Sequence, residues 1–401
     1  MAEGDCVEVL RAMPDSCFDA CVSDPPYGLG FMGKAWDCDV PGPAFAAELF
    51  RTLKPGAHAC LFGGTRTFHR LAVALEDAGF EIRDCLSWLY GTGFPKSLDV
   101  SKAIDAAAGA TREVIGIAKG AGSSNTQALG PYAATYAATD AATDAARQWN
   151  GFGTALKPSW EPVLLARKPL IGTVAANVLA HGTGGLNIDA CRIAGESTKR
   201  TNAAEMGYGG GNTSTSYETG SNLGRWPANA VLDEVAAELL DAQSGERTSG
   251  SRKAGDYTGL GYQGAGPWAL PEVKGNTGGA SRFFYTAKPS RAERDRGCEA
   301  LPVRTAGEAT DREDGTAGTQ SPRAGAGRTG GARNIHPTVK PAALIRWLVQ
   351  LVTPPGGTVL DPFAGSGTIF LACEGLNVEV NAIERDPEYC TIAIARGSSC
   401  K

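Results

Sequence analysis

Two stretches of this chain hold residue types whose spacing suits chemistry. The first is Asp24-Pro25-Pro26-Tyr27. Prolines fix their own backbone and lack an amide hydrogen, so the loop is stiff and two carbonyls are aimed with no local amide competing for them. Asp24 and the carbonyl of Pro25 together form an acceptor pair that suits an aromatic amine. The lone pair of such an amine is delocalised into its ring, so acceptors must draw its protons and make the nitrogen pyramidal before it attacks an electrophile. Tyr27 offers a flat face to a base pulled from a duplex. Stacking of that kind is worth about 1–3 kcal/mol, comparable to the few kcal/mol that unstacking costs. Taken alone, the tetrapeptide fits an ordinary loop turn equally well.

The second stretch is Asp361-Pro362-Phe363-Ala364-Gly365-Ser366-Gly367-Thr368, with Glu384 following the next apolar run. Gly365 and Gly367 would let the backbone approach a ligand closely. Glu384 falls where an acidic residue commonly accepts hydrogen bonds from ribose hydroxyls. The turn is not G-x-G-x-x-G, which disfavours a dinucleotide. It fits S-adenosylmethionine (AdoMet), a ligand with a ribose and no phosphate; a tight structural turn is the competing reading. A third stretch, Asn334-Ile335-His336-Pro337-Thr338-Val339-Lys340-Pro341, precedes an amphipathic helix and would set polar groups near the methionine end of that ligand. By contrast, Gly28-Leu29-Gly30-Phe31-Met32-Gly33-Lys34-Ala35 imitates a phosphate-binding loop. Ala35 stands where a hydroxyl must hold magnesium, and the preceding strand ends too early, so residues 28–34 read as a flap over a bound base.

The elements needed to position these stretches are legible at both ends of the chain. Residues 1–95 alternate short apolar runs with helical spacing. Asp19 to Ser23 and Ala57 to Phe62 read as buried strands, and Pro43 to Leu53 as a helix that stops before Lys54-Pro55-Gly56. From residue 334 to 401 the pattern returns, with a helix from Pro341 to Val352, a strand from Thr358 and a second from Val378 to Ile383. A last helix is begun by Asp386-Pro387. This is α/β patterning with one βαβ unit.

The middle reads as an insertion. Residues 96–169 hold an Ala/Thr tract, either one helix or a mobile segment, and an ordered return at Trp160 to Leu165. Residues 170–333 are glycine-rich, and no acidic residue falls between Gly315 and Val352, so Arg323, Arg328 and Arg333 are candidate phosphate contacts.

Bulk properties narrow the class. The 401 residues allow a large catalytic domain with an insertion, and 53 of them are glycine, nearly twice the usual share. Net charge is -5, which by itself argues against a nucleic-acid partner, but recognition depends on where basic residues cluster. Eleven cysteines form no Cys-x-x-Cys pair and only four histidines accompany them, which argues for reduced thiols and no metal site. The N-terminal residues are polar and acidic and no apolar stretch is long enough to cross a bilayer, so a cytoplasmic, membrane-free protein is expected.

The order of the three motifs resembles the β-class of DNA amino-methyltransferases, over residues 1–95 and 334–395. That resemblance implies a circularly permuted Rossmann-like AdoMet-dependent fold. The catalytic half comes first, a Gly-rich target-recognition region lies in the middle, and the cofactor half comes last. It implies that Asp24, Pro25, Pro26 and Tyr27 are the catalytic loop. Asp361, Phe363, Gly365, Gly367, Thr368 and Glu384 would hold AdoMet, with Thr338 and Lys340 nearby and Asp5 beside the adenine. Only Met1-Ala2-Glu3 precede Gly4-Asp5, where relatives have a fuller strand. Double-stranded DNA is the implied partner, with Lys34 and the three arginines as contacts, and a homodimer is the family's common assembly. Whether the protein acts alone or with a restriction endonuclease in a restriction-modification pair is left open by the sequence, and the glycine-rich middle resembles phage and prophage enzymes of bacterial hosts.

None of the 23 prolines is followed by cysteine, which excludes the thiolate chemistry of C5-cytosine enzymes. In the class this chain resembles, an aspartate at the first loop position is typical of the adenine enzymes, so the resemblance favours the N6 amine of adenine, with the N4 amine of cytosine as the alternative. Methylation of RNA or of a protein amide, and a DNA-binding regulator with weak catalysis, are the remaining readings.

Overall fold

The computed structural model describes residues 1–30, 35–93, 97–119, 135–194, 224–248, 255–257, 268–270, 276–287, 293–305, 308 and 331–399. Lys34, Arg323 and Arg328 lie outside the described residues. Contacts divide the chain into two units: Met1–Gly91, Trp160–Cys298 and Thr338–Lys401 form one, and Thr92–Ser159 with Glu299–Pro337 form the other.

The first unit is built on a nine-stranded sheet. Its strands are β1 (Ala2–Glu3), β2 (Phe18–Ser23), β3 (Leu53–Phe62), β4 (Glu81–Leu89), β5 (Trp160–Arg167), β6 (Ala230–Asp233), β7 (Tyr285–Ala287), β8 (Thr358–Asp361) and β9 (Glu379–Glu384). In space they run β1-β9-β8-β2-β3-β5-β4-β6-β7. All neighbours are parallel except β5, which runs antiparallel to both β3 and β4. The helices are α1 (Cys6–Arg11), α2 (Pro43–Thr52), α3 (Phe68–Asp77), α4 (Val174–His181), α5 (Glu234–Ser244), α6 (Ala342–Val352), α7 (Thr368–Cys373) and α8 (Pro387–Ser398).

Both faces of the sheet are buried at its central strands β8, β2, β3 and β5, which is why these read as apolar runs. Every residue of β2 is buried. Ala20 and Val22 join Leu344, Trp347 and Leu348 of α6 on one face, while Phe18 and Cys21 join Leu10, Phe45 and Leu49 on the other. Burial of each such large side chain is worth about 1.5–3 kcal/mol.

From β8 the chain crosses by α7 to β9, towards one edge; from β2 it crosses by α2 to β3, towards the other. The sheet therefore reverses direction between β8 and β2, and ligands of open parallel sheets bind beyond the carboxyl ends at such a point. Ser23 and Asp361 end these two strands, and Ser23 Oγ donates a 2.5 Å hydrogen bond to Asp361 Oδ1.

Three features depart from expectation. Helix α6 begins at Ala342, with Pro341 as its N-cap and no cap from its own side chains. Instead Glu293 Oε1 accepts from Ala342 N at 2.5 Å. The Ala/Thr tract is not one helix: it contains a strand, Thr135–Thr139, paired antiparallel with Val114–Lys119, then a helix, Asp144–Gln148, capped by Thr143. Lastly, the span 170–333 is not one block. Its short strands β6 and β7 extend the main sheet, while 299–333 group with 92–159. Strands of four and three residues carry too little apolar pattern to stand out from glycine-rich surroundings.

The second unit is pinned by Asp105, which accepts from Arg112 Nη1 at 2.7 Å, Ala142 N at 2.9 Å and Thr143 Oγ1 at 2.8 Å. Here Arg333 Nη1 donates to the carbonyl of Leu301. Among the described residues no helix is long and apolar enough to cross a membrane.

Candidate active site

Asp24-Pro25-Pro26-Tyr27 leaves the end of buried β2 and is held from outside, because its prolines cannot donate. The buried carboxylate of Asp37 accepts from Tyr27 N at 2.7 Å, Gly28 N at 3.0 Å and Leu29 N at 3.2 Å. Thr67 Oγ1 donates to the carbonyl of Tyr27 at 2.7 Å. Gly64 lets these parts meet, since a Cβ there would lie 3.2 Å from Tyr27 Cβ. The loop that the prolines stiffen is thereby fixed at both sides of its aromatic residue.

Asp24 is the centre of a charged cluster inside an aromatic cage. Lys340 Nζ lies 2.6 Å from Asp24 Oδ2 and 3.3 Å from Glu161 Oε2. The Tyr27 hydroxyl lies 2.8 Å from Asp24 Oδ1 and 2.9 Å from Glu161 Oε2, and Lys340 donates to it at 3.2 Å. The ammonium sits 5.0 Å from the Phe62 ring centroid, 5.4 Å from that of Tyr27 and 5.9 Å from that of Trp88. Such placement over ring faces suits a desolvated cation. Burial would depress the Lys340 pKa, but Asp24 and Glu161 more than offset it and the ammonium is held above its ordinary value. Burial, reinforced by the same carboxylates, pushes the Tyr27 phenol far up, so it stays protonated.

The second carboxyl-end cluster lies across the switch point. Asp361 is buried and accepts from Ser23 Oγ and, at 3.3 Å, from Phe363 N. Burial pushes its pKa up to about 7, against the pull of those bonds and with the charges of Asp24 and Glu384 adding to the rise. Glu384 ends β9; its Oε2 accepts from Gly365 N and its Oε1 from Asp386 N, both at 2.8 Å. Burial raises this carboxyl too, opposed by those amides. The Phe363 ring packs at 5.1 Å on Phe45. Two desolvated carboxylates beside an aromatic residue are an acceptor set that fits AdoMet, whose ribose hydroxyls need acceptors and whose sulfonium needs negative charge.

Other expected residues fall elsewhere in detail. Gly365 and Gly367 both have positive φ, +51° and +73°. At Gly367 the space is claimed by the protein itself: a Cβ would lie 2.8 Å from Ala393 Cα of α8. Its absence of a side chain serves the packing of the turn on α8. Thr368 Oγ1 accepts from the fully buried Arg396 at 3.4 Å, as do Ser366 O and Oγ at 3.0 and 2.9 Å. Asp5 caps α1 by accepting from Val7 N and Glu8 N, and Gly4 N bonds to Glu384 O, so a β1 of two residues suffices to bring it beside β9. Thr338 is half-buried, two residues before Lys340. Lys340 was expected near the cofactor; its ammonium lies on the Asp24 carboxylate. Glu161, Asp37 and Arg396 carry no local signal in the sequence. Glu161 lay in a segment read as ordered, and only its pairing opposite Trp88 across β5 and β4 brings it to the cage.

The geometry defines an α/β protein with a ligand rim at a switch point and an acidic, proline-stiffened loop beside it. The family model for DNA methylase, of the N6/N4 type, matches residues 18–395, and the chain belongs to this family. AdoMet is the methyl donor of the family. The type II methyltransferase M.XycI of Xanthomonas campestris pv. cyanopsidis is 48% identical over 61 residues, 15% of this chain and 20% of that protein. The type II methyltransferase M.SmaI of Serratia marcescens is 44% identical over 61 residues, 15% and 21% respectively. The chain thus spans about a fifth of the length of the curated relatives it matches. A solved structure, the PvuII DNA methyltransferase (cytosine-N4-specific), is 12% identical with a TM-score of 0.40, covering 98% of this chain and 84% of that one.

Proposed function

We propose that this protein transfers a methyl group from AdoMet to the exocyclic amine of a base flipped out of double-stranded DNA, at Asp24-Pro25-Pro26-Tyr27. The observation that carries this is the ion-paired Asp24, held at the end of β2 while β8, joined to β2 by the Ser23–Asp361 bond, ends in the AdoMet-fitting turn. When bound, AdoMet supplies an electrophilic methyl group. Asp24 Oδ1 and the Pro25 carbonyl accept from the amine and concentrate its lone pair on nitrogen. Tyr27, its hydroxyl anchored on Asp24 and Glu161, presents its ring to the extruded base. Glu384 and Asp361 hold the ribose and offset the sulfonium charge, Phe363 lines the rim, and Asp5 lies towards the adenine. Lys34, Arg323, Arg328 and Arg333 are proposed to contact phosphates.

No covalent step is required, and the buried Cys21 and Cys60 beside the site have thiols that burial pushes up, away from the thiolate a C5 mechanism uses. The aspartate at the first loop position favours the N6 amine of adenine. The N4 amine of cytosine is the second reading, since the same acceptor pair serves both amines.

Asp24→Ala tests the assignment. It is expected to abolish methyl transfer to plasmid DNA from methylation-deficient cells while leaving salt-sensitive DNA binding intact; surviving activity would place catalysis elsewhere. Digestion of the product to nucleosides decides the base, with N6-methyladenine expected and N4-methylcytosine as sole product selecting the second reading.

A further inference from the structure

Methylation of a neutral aryl amine leaves a positively charged nitrogen carrying two hydrogens. One N–H bond must then break, with its electron pair staying on nitrogen, and a base must take the proton. Resting on the assignment of Asp24 as the acceptor of that proton, we propose that Asp24, Tyr27 and Glu161 form a proton relay that ends on Glu161.

The argument is one of hydrogen count. A phenol has a single O–H, yet the Tyr27 oxygen lies 2.8 Å from one carboxylate and 2.9 Å from another. With both carboxylates ionised, one of these contacts has no proton between its oxygens; Lys340, 2.6 Å from Asp24 Oδ2 and 3.3 Å from Glu161 Oε2, offsets the charge but places no proton between the phenol oxygen and the second carboxylate. One additional proton satisfies both contacts. The cluster is therefore shaped to hold the proton that the reaction releases.

The relay balances at every step. The amine N–H breaks and an O–H forms on Asp24 Oδ1. That proton passes to the Tyr27 oxygen as the phenol's own proton passes to Glu161 Oε2, so the phenol is neutral before and after. Lys340 occupies Asp24 Oδ2 at 2.6 Å, which directs the incoming proton to Oδ1. Glu161 has an outlet: its side chain keeps 21% exposure and it is hydrogen-bonded by Tyr90. The groups facing it are Asp24 and Tyr27 beyond β2, Tyr90 beyond β4 and Lys340 before α6.

Glu161→Gln keeps the shape and removes the proton acceptor. Single-turnover methylation of unmethylated plasmid DNA is expected to slow about 10- to 100-fold, with AdoMet affinity and Tm unchanged, the acid limb of the pH–rate profile moved and the solvent deuterium effect enlarged. Tyr27→Phe, which keeps the ring, is expected to give a similar loss, and the double variant no more than the larger single loss. Should Glu161→Gln fail to fold, Tyr27→Phe carries the same test through its pH profile. Wild-type rates and pH profiles in both variants, or losses that multiply, overturn the relay. If Asp24→Ala is inactive while these variants are normal, only the relay fails; if Asp24→Ala is active, the underlying assignment fails.

Discussion

At the scale of single residues, the site is a matter of charge held against burial. Asp24, Glu161 and Lys340 form a cluster with two negative charges against one positive, inside a ring of Phe62, Trp88 and Tyr27. Removing the cation leaves two carboxylates facing each other across the Tyr27 hydroxyl. Lys340→Met is therefore expected to destabilise the protein by about 2–3 kcal/mol. That is below the ~3–5 kcal/mol of a fully buried pair, since both carboxylates keep a fifth of their exposure. Urea denaturation checks this, and an unchanged midpoint refutes the view that Lys340 neutralises the loop. The tetrapeptide itself was legible in the sequence because proline, acid and aromatic occur at once. Glu161 was not, because a glutamate in an ordered strand has no local signature, and its place beside Tyr27 and Lys340 comes from the tertiary fold, where it pairs opposite Trp88.

At the scale of elements, the regular pieces were legible where apolar periodicity ran long enough. Strand β8, helix α8 with its Asp386 cap and helix α2 lie within a residue or two of expectation. What escaped was the support supplied from a distance. Helix α6, which follows Lys340 directly, is capped by Glu293, a residue 49 positions earlier whose own carbonyl accepts from Arg396 Nη2 at 3.1 Å. No sequence window joins these positions, since the bond is a product of the tertiary fold. Glu293→Ala is expected to cost about 0.5–2 kcal/mol, the usual worth of an N-cap. Hydrogen exchange should rise first at the amides of Ala342 to Leu344; protection unchanged there would mean that α6 needs no external cap.

At the scale of the molecule, the switch point between β8 and β2 gathers Asp24, Asp361 and Glu384 at one rim, and with AdoMet bound there as proposed, stability and ligand binding are expected to respond oppositely to pH. Asp361 titrates near 7 in the fold against about 4 in an unfolded chain. A group raised in this way contributes stability that is fully present below the unfolded pKa and lost as pH rises through the folded one. Without ligand, the protein is thus expected to lose stability between about pH 4 and 7, and Asp361→Asn to flatten that slope. On the proposed placement of AdoMet, its sulfonium favours the ionised carboxylates, so AdoMet is expected to displace a proton on binding at low pH and to bind more tightly as pH rises past 7. S-adenosylhomocysteine, whose sulfur is neutral, lacks this linkage. At saturating ligand, stabilisation grows with affinity, about 2.7 kcal/mol at a hundred times Kd. The Tm increment from AdoMet should therefore be larger at pH 8 than at pH 5.5, while that from S-adenosylhomocysteine stays nearly constant. Equal pH slopes for the two ligands would show that the sulfonium does not lie against these carboxylates.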